Sequence, residues 1–347
     1  MSRSKKQGAV ALILLLLIFL FQRIPAWSNF YAREAYPALV SVLSGFSSFF
    51  PFSLYDLFIV IAILGMTTGL ICLFFRRTRK KAFFALLSGV VWLYIAFYAL
   101  WGINYFAPDF ASRNQLHRQP FDSLQFQAFL SDYTENLNAS YTLVPLYSAA
   151  TLDSLIRQAG QKMDGSWDFP KLPASCSVKP MLSGKLYAAM GIRGYYGPFF
   201  AEAHVNPLYL PHERPSVTAH ELGHLAGITS EADANLFSFL LTTGSDDPAF
   251  RFSGYYSLLP YVLSNARRLL SDNDYDQFTR QIDPRVKALY QQSRNYWYEL
   301  YSHRLGSVQD WFYEMYLKGN NIPSGTANYS EVIGILIGLR QKQLSDK

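Results

Sequence analysis

Two histidines four residues apart, His220 and His224, flank Glu221 in the run Ser216-Val-Thr-Ala-His-Glu-Leu-Gly-His-Leu-Ala-Gly227. On a helix, positions i and i+4 share a face, so both imidazoles can present a nitrogen to one ion. Glu221 stands one step round, able to reach a water on that ion without being a ligand. A catalytic zinc takes three protein ligands and a water. The metal makes that water acidic and a nearby carboxylate can remove its proton. Pro215 and Ser216 make a helix start, and Gly227 can end the helix with a left-handed turn. Thr229 or Ser230 can then cap a second helix, which begins Glu231-Ala-Asp-Ala-Asn235. Such an αα-hairpin returns Glu231 to the two histidines as third ligand. Asp233 is its rival, and Asp246, Asp247 and His303 are remoter options. If it is not a ligand, Asp233 reads as a solvated acid in a first helical turn, favoured by the helix dipole. Asn235, one turn beyond Glu231, can hydrogen-bond a ligand from behind.

Hydrolysis also needs a donor for the oxyanion. Tyr255, Tyr256 and the pair His303-Arg304 are options, and Tyr255 is the choice among 24 tyrosines. Residues 199–205 read either as an edge strand that pairs with extended substrate backbone or as a core hairpin. His204 and His212 read as satisfied structural histidines. The aromatic stripe over residues 290–316, including Tyr296, Trp297, Tyr298, Tyr301 and Trp311, reads as helix packing.

His220-Glu221-x-x-His224 is the signature of zinc peptidases. Glu231-Ala-Asp-Ala-Asn235 resembles the second motif of the gluzincin metallopeptidases, Glu-x-x-Ala-Asp. In that clan the Glu binds zinc and the final Asp supports a ligand histidine. The resemblance implies Glu231 rather than Asp233 as third ligand, with Asn235 in the place of the residue that supports a ligand histidine. The sequence departs at Asn235, where a neutral amide replaces the carboxylate, and in a tight spacing from His224 to Glu231. Gly227 also fits the metzincin pattern His-Glu-x-x-His-x-x-Gly-x-x-His, but Ser230 stands where its last histidine belongs. The whole layout resembles an uncharacterised bacterial membrane family, domain of unknown function 3810. That family shares N-terminal spans, a His-Glu-x-x-His and a following Glu-x-x-Ala-Asn helix. The resemblance extends over most of the chain, and residues about 190–240 carry it. It implies a bacterial plasma-membrane location.

The elements that must hold this constellation divide the chain. Only 16% of residues are charged, against about 25% in a soluble domain. Residues 1–106 hold ten Lys and Arg but two acids, Glu34 and Asp56; the remainder holds twenty-one and twenty-three. The basic excess therefore flanks apolar segments and sets topology, which excludes nucleic acid as a partner. Three transmembrane helices are expected at about 8–22, 55–75 and 82–106. The first has the alternative of a signal peptide. Arg3, Lys5 and Lys6, and the cluster Arg76, Arg77, Arg79, Lys80 and Lys81, place both clusters in the cytoplasm. The aromatic loop 22–56 is expected outside, on the membrane surface. Cys72 and Cys176 are expected to stay unpaired.

Residues 107–347 form the working, extracytoplasmic domain. Helices are expected within 121–163, a loop over 164–180, one or two short strands within 197–206, and mostly helix from Ser216 onward. The expected fold is mainly α: N-terminal transmembrane helices, then a mostly helical zincin-like domain with a small β element. The expected function is that of a membrane-anchored, Zn2+-dependent metallopeptidase acting on a peptide or protein substrate at the cell envelope, with Glu221 as base. The alternative is a zinc- or peptide-binding membrane sensor or assembly protein without turnover. Structural zinc is usually closed by four protein ligands, and none of the customary cysteines is offered. An intramembrane protease fails because the motif lies about 110 residues past the last span, in a polar context.

Overall fold

The computed structural model describes residues 3–116, 123–163, 165, 167–174 and 178–345. Cys176 lies outside them.

Helices α1 (Arg3–Arg23), α4 (Leu54–Leu73) and α5 (Arg79–Leu100) are each long and apolar enough to cross a membrane. Their side chains are apolar all round and few are buried within the protein, as expected of helices solvated by lipid. The turn between α4 and α5 carries Arg76 and Arg77. Helix α1, with the following α2 (Pro25–Phe30), packs against α5 and the 3-10 turn Gly102–Phe106 at its end. Helices α1 and α5 therefore run parallel, and the two basic clusters fall at the same end of the group.

The third span stops at Leu100, not at residue 106. Trp101 leaves the helical region at φ −160°, and Ile103 and Tyr105 turn into the core of the following domain. An uncharged run cannot by itself distinguish lipid burial from protein burial. Nor is 22–56 a loop. It folds into α2, one π-helical turn at Tyr31–Ala35 and α3 (Tyr36–Ser47).

The rest is helical around one small sheet. The helices are α6 (Phe110–Arg113), α7 (Ser123–Ser140), α8 (Ala149–Met163), α9 (Gly184–Ala189), α10 (Arg214–Leu225), α11 (Glu231–Thr243), α12 (Pro248–Leu269), α13 (Asp272–Gln281), α14 (Pro284–Leu300), α15 (His303–Gly319) and α16 (Val332–Ser345). Strands β1 (Val178–Pro180), β2 (Gly194–Gly197) and β3 (Glu202–Val205) form a sheet in the order β1-β3-β2. β1 lies parallel to β3 and β2 antiparallel to it. β1 occupies the end of a segment expected to be loop. Its Lys179 finds Glu202 across the sheet at 2.6 Å, a partner that local sequence cannot reveal.

Two large cores hold the domain, with a smaller cluster of Ala188, Val205, Tyr209 and Trp297 beside them. One joins Tyr31, Tyr36, Ile95, Trp101 and Tyr105 to Ala219, Leu222, Leu225 and Phe237. The other packs α7, α11, α12 and α16 around Phe126, Leu236, Phe252 and Ile333. The first core crosses residue 106, so the C-terminal end of α5 and the helix that carries His220 and His224 are packed as one body.

The start of α4 is fixed to the sheet by buried polar groups. Ser53 caps α4 by accepting from the Asp56 amide at 2.8 Å. Its hydroxyl also meets His204 Nε2 at 2.8 Å. Glu202 accepts from the Leu54 and Tyr55 amides and from Lys179, whose ammonium also donates to the Ser47 and Phe52 carbonyls. Burial opposes the Glu202 charge, but His204, Lys179 and the two amides outweigh it and hold the carboxyl down to about 2. Asp56 accepts from the Leu182 amide and the Tyr187 and Tyr195 hydroxyls.

Candidate metal centre

Helix α10 starts at Arg214, slightly ahead of the Pro215-Ser216 signal, with Pro215 in its first turn. It ends in a two-bond turn: the Gly227 amide donates to the His224 carbonyl and the Ile228 amide to that of Gly223. Gly227 sits at φ +107°, and a Cβ there would come within 2.9 Å of the Tyr36 ring. Both conformation and space require glycine. Ser230 then caps α11 by accepting from the Asp233 amide.

The hairpin converges three buried side chains. His220 Nε2 stands 3.1 Å from Glu231 Oε2 and 3.1 Å from His224 Nε2, and the last two atoms are 3.4 Å apart. Bonds of about 2.0–2.1 Å in a tetrahedron place ligand atoms roughly 3.3–3.4 Å apart. The donor set, two imidazoles and a carboxylate, and its spacing fit a divalent metal ion such as zinc, which these three residues could hold.

The ligands are fixed from behind. His224 Nδ1 lies 2.7 Å from the Ile228 carbonyl. Since a carbonyl only accepts, that nitrogen carries its proton, leaving Nε2 to face the cluster. Trp101 Nε1 donates to the His224 carbonyl, and the Tyr36 hydroxyl donates to that of Leu225. The Tyr313 hydroxyl donates to Glu231 Oε1. Burial alone would raise the Glu231 pKa, but the two histidines hold it well below the ordinary carboxylate range.

Glu221 is buried, and its Oε2 has no partner among the described residues. Burial raises its carboxyl to about 7; the two histidines oppose the rise and Glu231 adds to it. A carboxyl with that value accepts and releases protons near neutral pH. Its other oxygen lies against the backbone of Gly194 at the start of β2. A methyl group on Gly194 would stand 2.0 Å from Glu221 Oε1.

All four side chains line a cavity of about 740 Å³. Its walls come from β2, α12, α15 and the C-terminal end of α5, through Phe97 and Trp101. β2 is one of the two edge strands of the sheet, the other being β1. β3 is paired on both sides, so residues 199–205 supply a central strand preceded by a turn.

Several expected residues sit elsewhere. Asp233 is buried rather than solvated, and its carboxylate accepts from the Phe110 amide at 2.9 Å. Asp247 caps α12, exposed Asp246 pairs with Lys162, and His303 lies against Tyr301. Asn235 lines the cavity, but its amide donates to the Tyr329 carbonyl at 3.3 Å instead of holding a ligand. Tyr255 does not line the cavity: its ring packs on Phe239 and Tyr133. Tyr256 does line it, with its hydroxyl donated to Ser293. His212 also meets Ser293, and burial lowers it to about 4. The residue that sequence reasoning missed is Tyr313, within the stripe assigned to packing. Its place on α15 at a three-residue interval from Asp310 and Tyr316 was the available signal.

Residues 31–337 match the family described as Protein of unknown function (DUF3810). The chain belongs to the DUF3810 family. No curated protein and no solved structure matches it. The DUF3810 match begins in the π-helical turn before α3 and runs into α16, so it takes in two of the three apolar helices together with the His220, His224 and Glu231 cluster.

Proposed function

We propose that this DUF3810 chain is a membrane-anchored zinc metallopeptidase of gluzincin-like type. The observation that carries the reading is the convergence of His220, His224 and Glu231 beside a buried carboxylate, Glu221, with an unused oxygen, all facing one cavity. Bound by the three ligands, zinc would supply Lewis acidity and make water acidic enough to lose a proton near neutral pH. Glu221 takes that proton and returns it to the leaving nitrogen. Gly194 gives its carboxylate room to stay beside the cluster. Tyr313 keeps Glu231 turned toward the histidines. The free edge of β2 offers backbone groups to an extended peptide, which would lie across the cluster.

The three apolar helices anchor the chain in the lipid bilayer of a bacterial cell. Both basic clusters lie at one end of them, and assigning that end to the cytoplasm places the metal domain outside. A peptide or protein of the cell envelope is then the substrate. A non-catalytic sensor would need neither the free Glu221 oxygen nor the glycine that accommodates it.

The test uses the full chain, because Tyr36 and Trp101 pack on the metal helix. Zinc content of the purified protein is expected near one per chain in wild type and near zero in His220→Ala; equal contents remove the site. Glu221→Gln should retain zinc and lose hydrolysis of a peptide library, by about 10²–10⁴-fold. Full turnover by that variant would defeat the mechanism while leaving the site.

A further inference from the structure

Helix α15 has two opposed faces. Gln309, Asp310, Tyr313 and Tyr316 look into the cavity. On the other side Leu305, Val308, Trp311, Phe312 and Met315 are 45–58% exposed. At 100° per residue these five fall in a stripe roughly 120° wide whose one charged residue is Arg304, in the first turn of α15. A water-facing helix carries the reverse pattern, and an exposed stripe of five apolar side chains with a single charge at one end marks a contact surface.

The position of α15 says what covers the stripe. Its last turn is fixed to the outer end of α5. The Tyr316 ring packs on Phe97 with centroids 6.0 Å apart, the Tyr105 hydroxyl donates to that of Tyr316 at 3.0 Å, and the Tyr98 hydroxyl donates to Asn320 at 2.8 Å. Phe97 and Tyr98 lie in the final turn of α5, at the opposite end from its basic start at Arg79. That is the level at which a spanning helix leaves hydrocarbon. Trp27 and Phe30 on α2, which packs on the 3-10 turn Gly102–Phe106 that follows α5, are also exposed. Aromatic side chains collect at this interface because their rings are apolar and their edges tolerate water.

We propose that the outer face of α15 is seated in the headgroup and upper acyl region of the outer leaflet. The apolar stripe is then continuous with the lipid-facing surface of α5, and α15 becomes a wall between the cavity and the membrane. Resting on the peptidase reading, this restricts the substrate to polypeptide held next to lipid, such as the segment flanking a membrane anchor. The seating itself does not depend on turnover.

The experiment places nitroxide labels on Val308→Cys, Trp311→Cys and Met315→Cys, each in a full chain carrying Cys72→Ser and Cys176→Ser. The protein is reconstituted in nanodiscs of phosphatidylcholine and phosphatidylglycerol. Collision with oxygen, which concentrates in lipid, is compared with collision with a water-soluble nickel chelate. Leu64→Cys, exposed on α4, provides the lipid reference, and Asp276→Cys, exposed on α13, the aqueous one. The three α15 labels are expected to show oxygen-to-nickel ratios several-fold above Asp276→Cys and toward Leu64→Cys. Ratios equal to those of Asp276→Cys would overturn the proposal. So would protection from both reagents, which indicates a protein partner or a second copy. An independent reading on the unmutated helix is quenching of tryptophan emission by brominated lipid, which should fall in Trp311→Phe. Unchanged quenching would overturn the proposal, even if a labelled variant misfolded. Loss of zinc binding in the earlier test leaves these outcomes untouched.

Discussion

Two buried clusters in this molecule use the same kinds of side chain and satisfy their carboxylates with different partners. Around β3, Glu202 and His204 lie with Lys179 and Ser53. Around the α10–α11 hairpin, Glu231 lies with His220 and His224. In the first, an ammonium neutralises the carboxylate, and two amides and a hydroxyl occupy the remaining directions. In the second no Lys or Arg approaches among the described contacts, and three donor atoms point at one another on a cavity wall. Metal-binding capacity therefore depends on what else satisfies the carboxylate, since both sites offer imidazole and carboxylate in burial.

The largest effect expected from that difference concerns Gly194. Gly194→Ala should push the Glu221 carboxylate away from the cluster and lower peptide hydrolysis by about 10²–10⁴-fold, the usual contribution of a general base. Zinc content should remain at wild type; loss of both would mean that the strand, not Glu221, had been disturbed.

The sheet cluster is expected to be structural alone. Lys179→Met leaves Glu202 buried without its cation, which costs about 3–5 kcal/mol. Thermal unfolding in detergent should show a lower Tm with unchanged zinc stoichiometry, and loss of zinc at full stability would erase the distinction between the clusters.

A smaller effect is expected at the hydroxyl behind Glu231. Tyr313→Phe should weaken zinc binding by about 10–100-fold, measured by competition with a chelator. Affinity equal to wild type would remove Tyr313 from the site.

The least disruptive test is pH. Burial lowers the His224 pKa, but Glu231 beside it reverses this and carries it up to about 9 in the metal-free protein. A raised pKa makes its stabilising contribution complete below the unfolded value near 6.5 and lost as pH climbs through about 9. Zinc must displace that proton, so its affinity should rise with pH across the same window. A flat affinity between about pH 6 and 9 would show that His224 is not a ligand.

The convergence of two imidazoles and a carboxylate was legible because it is local. His220, His224 and Glu231 lie within twelve residues, and helical periodicity, Gly227 and the Ser230 cap suffice to fold them together. Three apolar spans were legible for a similar reason, since length and lack of charge define them. The end of the third was not: Ile103 and Tyr105 are as apolar as the span, and only the domain core claims them. Tyr255 was misplaced because nothing in spacing distinguishes one tyrosine among 24. Tyr313 reaches Glu231 across 82 residues.

By itself, then, the amino-acid order determined the apolar helices, the predominance of α structure and the turn that brings two imidazoles and a carboxylate together. Each depends on interactions within a few helical turns. Tertiary structure decided that β2, and not 199–205, is an edge strand facing the cavity, that Asp233 serves a backbone amide, and that α15 lines the cavity. Those outcomes depend on which distant surface removes a group from water, and no local periodicity encodes that choice.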